Sequence, residues 1–218
     1  MPRFARVVIP GCSHHITQRG NNRQAVFFVE DDYRVYLGLL AEQASKHSLS
    51  IDGYCLMPNH IHLVATPAKE ESLAKAVGRT HFLYTQYVNR FHSRCGHLWQ
   101  NRFYSCPLDE KHFYQALAYV ERNPVKAKMC RLAWRYPWSS AAWHCGMTTE
   151  TPVLLSRWTS SPDDWQETLQ QPDNDRDELI RLRTQTGRPL GTDSFLSKLE
   201  KAIGRRVRPL PVGRPKEK

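Results

Sequence analysis

The spacing of apolar positions changes several times along the chain, and each change marks an element. In "RVVIPGCSHHITQRGNNRQAVFF" it predicts a first strand around residues 13–19, closed by a Gly-Asn-Asn turn. From Asp31 the period lengthens. Tyr33, Tyr36, Leu37, Leu40 and Ala44 recur on one face, which predicts a helix with Asp31 or Asp32 as its cap. "IDGYCLM" reads as a strand, Pro58-Asn59 suits a tight turn, and a second strand starts at His60, so the two form a hairpin. "SLAKAVGRTHFLYTQYVNRFHSRCG" predicts a long helix capped by Ser72 and stopped near Gly96. On it Leu73, Val77, Tyr84, Val88 and Phe91 face the core, while Lys75, Arg79, Arg90 and Arg94 lie along its length. "HLWQNRFYSCPL" returns to a strand, and "DEKHFYQALAYVERNP" is a helix ended by Pro124.

This order of strand, helix, hairpin, helix, strand, helix predicts an α+β fold, with helices packed on a largely antiparallel sheet. The core domain is expected over residues 1–147. Residues 148–180 read as an acidic linker with weak helical content, with seven acids against one arginine over 160–180. Residues 181–218, with the short helix "DSFLSKLEKAIG", read as a basic C-terminal extension.

Composition narrows the function classes. No run approaches the roughly 18 apolar residues of a membrane span, and "MPRFARVVIPGCSHH" lacks the apolar segment of a signal peptide. Six scattered cysteines without a CxxC pair suit reduced thiols, so a cytoplasmic protein with no membrane partner is expected. The formal charge is +10, and it stays positive outside both the acidic stretch and the tail, which points to a polyanion such as nucleic acid.

Candidate chemistry begins at "MPNHIHLV". His60 and His62 share one face of an extended chain, and Ile61, Leu63 and Ala65 share the other. Two neutral imidazoles at i and i+2 can hold two adjacent positions of one metal ion, and a third donor must come from elsewhere. On the helix at 109–123, His112, Gln115, Ala116, Tyr119 and Asn123 fall on one side, next to a stripe of Phe113, Leu117 and Val120. Tyr119 and Asn123 therefore point the same way, and Tyr114 points elsewhere. By spacing alone they are equally a boundary aromatic and a helix terminator.

Four motifs in order, "MPNHIHLV", "WQNRF", "YVERNPVKA" and "YPWSS", resemble the single-tyrosine HUH transposases, specifically the REP-associated tyrosine transposases. The resemblance covers about residues 5–146. It implies the HUH endonuclease, ferredoxin-like sandwich, and a Mg²⁺ or Mn²⁺ ion on His60 and His62. It further implies Tyr119 as nucleophile and Asn123 as the amide that completes the metal site, where insertion-sequence relatives carry Gln. The implied activity is metal-dependent nicking and strand transfer of single-stranded DNA at palindromic repeat hairpins, through a 5′-phosphotyrosine.

Under this reading Gln18, Arg19, Asn21, Asn22 and Arg23 form a polar loop able to bond unpaired bases, and Arg79, Arg102, Lys126 and Lys128 contact phosphate. Arg205, Arg206 and Arg214 extend the DNA-binding set into the tail, where Gly213-Arg214-Pro215 repeats Gly187-Arg188-Pro189. Trp138 is expected to be a packing anchor. The expected partner is single-stranded or hairpin DNA in a nucleoid-associated protein, with monomer and homodimer both open. The alternatives are a DNA-hairpin-binding regulator of the same fold that does not cut, and an RNA-binding protein using the same basic surface.

Overall fold

The computed structural model describes residues 6–156, 160–171 and 173–208. Four antiparallel strands form one sheet in the order β2-β3-β1-β4: β1 (His14–Arg19), β2 (Leu49–Met57), β3 (His60–Pro67) and β4 (Tyr104–Pro107). Strand alternation gives each face its own core. Ile16, Ile61, Leu63 and Ala65 pack under α1 (Glu30–Lys46) and α2 (Ser72–Phe91). On the other face Cys55, Met57, Val64 and Cys106 pack under α3 (Glu110–Lys126). The result is the expected α+β sandwich, with helices on both faces of the sheet. Among the described residues, no helix is long and apolar enough to cross a membrane.

The close approach of α3 depends on Gly53. A Cβ there would sit 2.2 Å from Leu117 Cδ1, so a side chain at this position would require Leu117 to move. "YPWSS" acts as a short edge to β2. Tyr136 donates its hydroxyl to the Leu56 carbonyl (2.8 Å), Leu56 N–H donates to the Trp138 carbonyl (2.9 Å), and Ser140 N–H donates to the Tyr54 carbonyl (3.0 Å). Trp138 stacks on Tyr33 with ring centroids 4.5 Å apart, consistent with a packing role.

Several local expectations are corrected. The strand expected over 97–108 shrinks to β4, because Leu98, Trp99 and Phe103 turn into the α1–α2 core. Phe91, expected in the core, is 68% exposed at the frayed end of α2. Ser72 is the first residue of α2 and accepts the Lys69 N–H rather than capping from outside. Asp32 lies within α1 and reaches back to accept the Phe28 and Val29 N–H groups.

Pro124 does not end α3, which continues to Lys126. The ring removes one N–H donor, and the carbonyl that loses it is Val120, four residues back. The Asn123 side-chain amide reaches that carbonyl at 3.4 Å and the Tyr119 carbonyl at 2.8 Å, which offsets the loss.

The acidic stretch is not an extended linker. After the short α4 (Ala141–His144), it carries α5 (Pro162–Gln170) and the start of α6 (Asn174–Thr186), with Ser161 and Asp173 as N-caps. Trp165, Leu169, Ile180 and Leu190 enter the same core as Phe113, Leu117 and Val120. Acids dominate the exposed faces and so masked a few well-spaced apolar anchors. The boundary expected between residues 180 and 181 falls inside α6. Arg122 of α3 pairs with the buried Asp177 of α6 at 2.9 Å, and Lys126 approaches the same carboxylate at 3.5 Å. Beyond α6, α7 (Asp193–Ile203) is the short helix expected in the extension.

Candidate active site

The hairpin turn delivers His60 at the start of β3, opposite Arg19 of β1, and His62 two residues on, between Cys55 of β2 and Thr17 of β1. Their ring centroids are 5.0 Å apart. Each Nδ1 is engaged by protein. Asn59 Nδ2 donates to the Arg23 carbonyl (3.2 Å), which leaves Asn59 Oδ1 to accept the His60 Nδ1–H at 2.6 Å. His62 Nδ1 lies 2.9 Å from His15 Nε2. Neither Nε2 has a hydrogen bond within the described residues, so both present an open edge.

Tyr119 stands over this pair from α3. Its ring lies edge-on to His62 and to His15, each with centroids 5.5 Å apart. The side chain is 7% exposed, and its hydroxyl has no hydrogen-bond partner among the described residues. Tyr114 packs edge-on against Phe113, away from the histidines. Of the two α3 tyrosines, Tyr119 is the one that meets the histidine strand. Asn123 lies one turn beyond Tyr119. Its Nδ2 is committed to the helix carbonyls, and its Oδ1 accepts nothing from the described residues.

Burial sets the electrostatics. It pushes His60 down to about 4, with the Arg19 charge adding to the effect. Burial drives His62 well below the ordinary histidine range, with His60, His15 and Arg19 contributing. Both rings are therefore neutral near pH 7, as ligands must be. Burial, then the Asp177 charge, pushes the Tyr119 phenol up to about 12, while Arg181 and Arg19 pull the other way. Left alone, the site holds a protonated tyrosine beside bare imidazole nitrogens.

Among the described residues no group of three or more histidine, cysteine, aspartate or glutamate side chains could hold an ion. His60 Nε2, His62 Nε2 and Asn123 Oδ1 are each left as an uncommitted lone-pair donor of the kind a divalent cation accepts. The donor set is neutral, so a divalent ion held there would keep much of its charge for a bound phosphate.

The expected nucleic-acid residues divide into two groups. Arg19, Asn22, Arg23, Arg79 and Arg102 are exposed, and Asn21 is half-buried in a short 3-10 turn (Asn21–Arg23). Arg79 lies 5.0 Å from the exposed Phe82 ring. Lys128 is exposed just past α3. Gln18 is corrected: it is buried in β1, where its amide donates to the Gln100 (3.3 Å) and Asn101 (2.9 Å) carbonyls and braces that loop. Lys126 is drawn partly toward Asp177. Arg205 is half-buried and donates to the Arg6 carbonyl (3.3 Å), Arg206 is exposed, and Arg214 lies outside the described residues.

Two residues at the site escaped the sequence reading. His15 had one weak signal, its place on a predicted strand. Its pairing with His62 depends on the β1–β3 register, which no local pattern encodes. Thr184, 2.7 Å from His15 Nδ1, is 169 residues away in sequence and had no signal.

A family model described as "Transposase IS200 like" matches residues 8–123. No curated protein sequence matches the chain. Among solved structures, a REP-associated tyrosine transposase bound to a REP hairpin superposes with a TM-score of 0.59 at 16% identity. The match covers 73% of this chain and 94% of that one, and it concerns the fold. A candidate transposase from Deinococcus radiodurans R1 matches with a TM-score of 0.39 at 17% identity, covering 55% of this chain and 96% of that one.

Proposed function

Because the chain belongs to the family of IS200-like transposases, we propose that it cuts and rejoins single-stranded DNA at palindromic repeat hairpins, in a metal-dependent reaction through Tyr119. One observation carries this reading. The only tyrosine of α3 that meets His62 has an uncommitted hydroxyl beside two open imidazole nitrogens. The hairpin carried by the structural relative of the same fold supports the choice of substrate.

His60, His62 and Asn123 would hold a Mg²⁺ or Mn²⁺ ion. Bound there, it supplies positive charge that polarises a scissile phosphate and favours the phenolate over the phenol. Tyr119 Oη attacks phosphorus, the bond to the 3′-oxygen breaks, and a 5′-phosphotyrosine forms. The phenol proton is accounted for by the new 3′-OH. Attack by a second 3′-OH reverses the exchange, joins strands and returns the proton to Tyr119. Arg19, opposite His60 in the sheet, would hold a phosphate oxygen.

The buried, protonated phenol favours a second reading, a hairpin-binding regulator that does not cut. One experiment separates the two. Labelled hairpin DNA is incubated with the protein and Mn²⁺, then resolved under denaturing conditions. A covalent protein–DNA band supports the transposase chemistry. Tight binding without a band, with and without Mn²⁺, supports the regulator, and preference for the ribo-hairpin of the same sequence would reject both.

A further inference from the structure

The hydrogen bonds behind His62 run away from the site and end on a helix outside the segment that matches the family model. Their directions can be assigned one at a time. Thr184 Oγ1 donates to the Ile180 carbonyl at 2.8 Å, one turn back in α6. A hydroxyl has one proton, so with that proton on the Ile180 carbonyl the same oxygen accepts toward His15 Nδ1 at 2.7 Å. His15 therefore carries its proton on Nδ1. It is 1% exposed and has no carboxylate partner, so a neutral ring leaves Nε2 as a bare acceptor. Across the 2.9 Å contact, His62 must then be the donor through Nδ1–H. That leaves the His62 lone pair on Nε2, which has no hydrogen bond among the described residues.

We propose that Thr184 is a positioning residue for the metal site, which acts through His15 to hold His62 in the Nδ1–H tautomer with Nε2 open to the ion. This rests on the reading of His62 as a metal ligand. His60 reaches the same tautomer through Asn59 and the Arg23 carbonyl, so the two ligands are oriented by separate chains, one local and one from α6. The ion pair of Arg122 and Lys126 with Asp177 fixes α6 against the helix that carries Tyr119. The stretch that reads as a linker thus sets the chemistry of one imidazole. Hydrogen bonds that orient ligating imidazoles commonly change metal affinity about 10- to 100-fold when removed.

The test uses the full chain with Thr184→Val, which keeps the shape and removes the hydroxyl, and with Thr184→Ser, which restores it. The first readout is the ¹⁵N shifts of His62 in the metal-free protein. The unaltered chain should show a single Nδ1–H tautomer, Thr184→Val a mixture of tautomers, and Thr184→Ser the single form again. The second readout is Mn²⁺ affinity in the presence of hairpin DNA, expected to fall about 10-fold in Thr184→Val and to recover in Thr184→Ser. A His62 tautomer unchanged by Thr184→Val would overturn the relay whatever the metal does. Failure of the unaltered protein to bind Mn²⁺ at all would instead overturn the metal reading beneath it.

Discussion

The Trp165 indole N–H donates to Glu121 Oε2 at 2.8 Å, joining the acidic stretch to the helix that carries Tyr119. Ser140 and His144 Nδ1 both meet Oε1 of the same carboxylate at 2.5 Å, and Glu121 is fully buried. Three elements distant in sequence therefore close on one side chain behind the candidate site. Replacing Glu121 with Ala strands three polar partners, and breaking such a buried pair costs about 3–5 kcal/mol. Thermal unfolding should shift down by roughly 6–20 °C. A shift of a degree or two would mean that the network adds little to stability.

Tyr119→Phe removes a hydroxyl with no hydrogen-bond partner among the described residues, so stability should change by less than about 0.5 kcal/mol. It should nevertheless eliminate the covalent DNA adduct and strand joining. Tyr114→Phe should leave both intact. The reverse pattern in an adduct assay would remove Tyr119 from the site.

The two histidines should separate by stability while agreeing in activity. His62→Ala leaves His15 Nε2 unpaired in the core, which costs about 1–3 kcal/mol. His60, half-buried at the strand end, should cost about 1 kcal/mol or less. Both changes should abolish cleavage and spare hairpin binding, measured by denaturing gel and by mobility shift. Full cleavage by His60→Ala would take it out of the metal set.

Acid should destabilise the fold before carboxylates protonate. Burial holds His14 near 4, His15 near 3 and His81 near 3, all below the unfolded value of 6.5. Between the folded and unfolded values, the unfolded chain binds more protons. Stability is therefore complete above pH 6.5 and falls with decreasing pH, by about 1.4 kcal/mol per pH unit for each histidine inside the window. Urea midpoints at pH 7 and pH 5 should differ clearly, and equal midpoints would contradict this origin.

Val207 is buried and Arg208 pairs with Glu200, so an informative truncation begins after Arg208. Removing residues 209–218 takes away Arg214, Lys216 and Lys218 against Glu217. DNA affinity should fall and its dependence on salt should become shallower, while cleavage at high protein concentration persists. An unchanged salt slope would show that these bases make no phosphate contact.

Much of this was legible in local pattern. The i, i+2 alternation separated His60 and His62 from Ile61, Leu63 and Ala65, and β3 presents them on opposite faces. The 100° step of α3 set Tyr119 apart from Tyr114, and the structure turns only Tyr119 to the histidines. These relations lie within one strand or one helix, so backbone geometry suffices to read them. Strand register, the packing of α5 and α6 and the termination of α3 were not legible. His15 reaches His62 only through the pairing of β1 with β3, and Thr184 reaches His15 only because Trp165, Leu169 and Ile180 bury α5 and α6 beside α3. Such contacts are decided by which apolar surfaces find one another in three dimensions. Two or three buried side chains can hold a charged helix in place while its composition still reads as solvent.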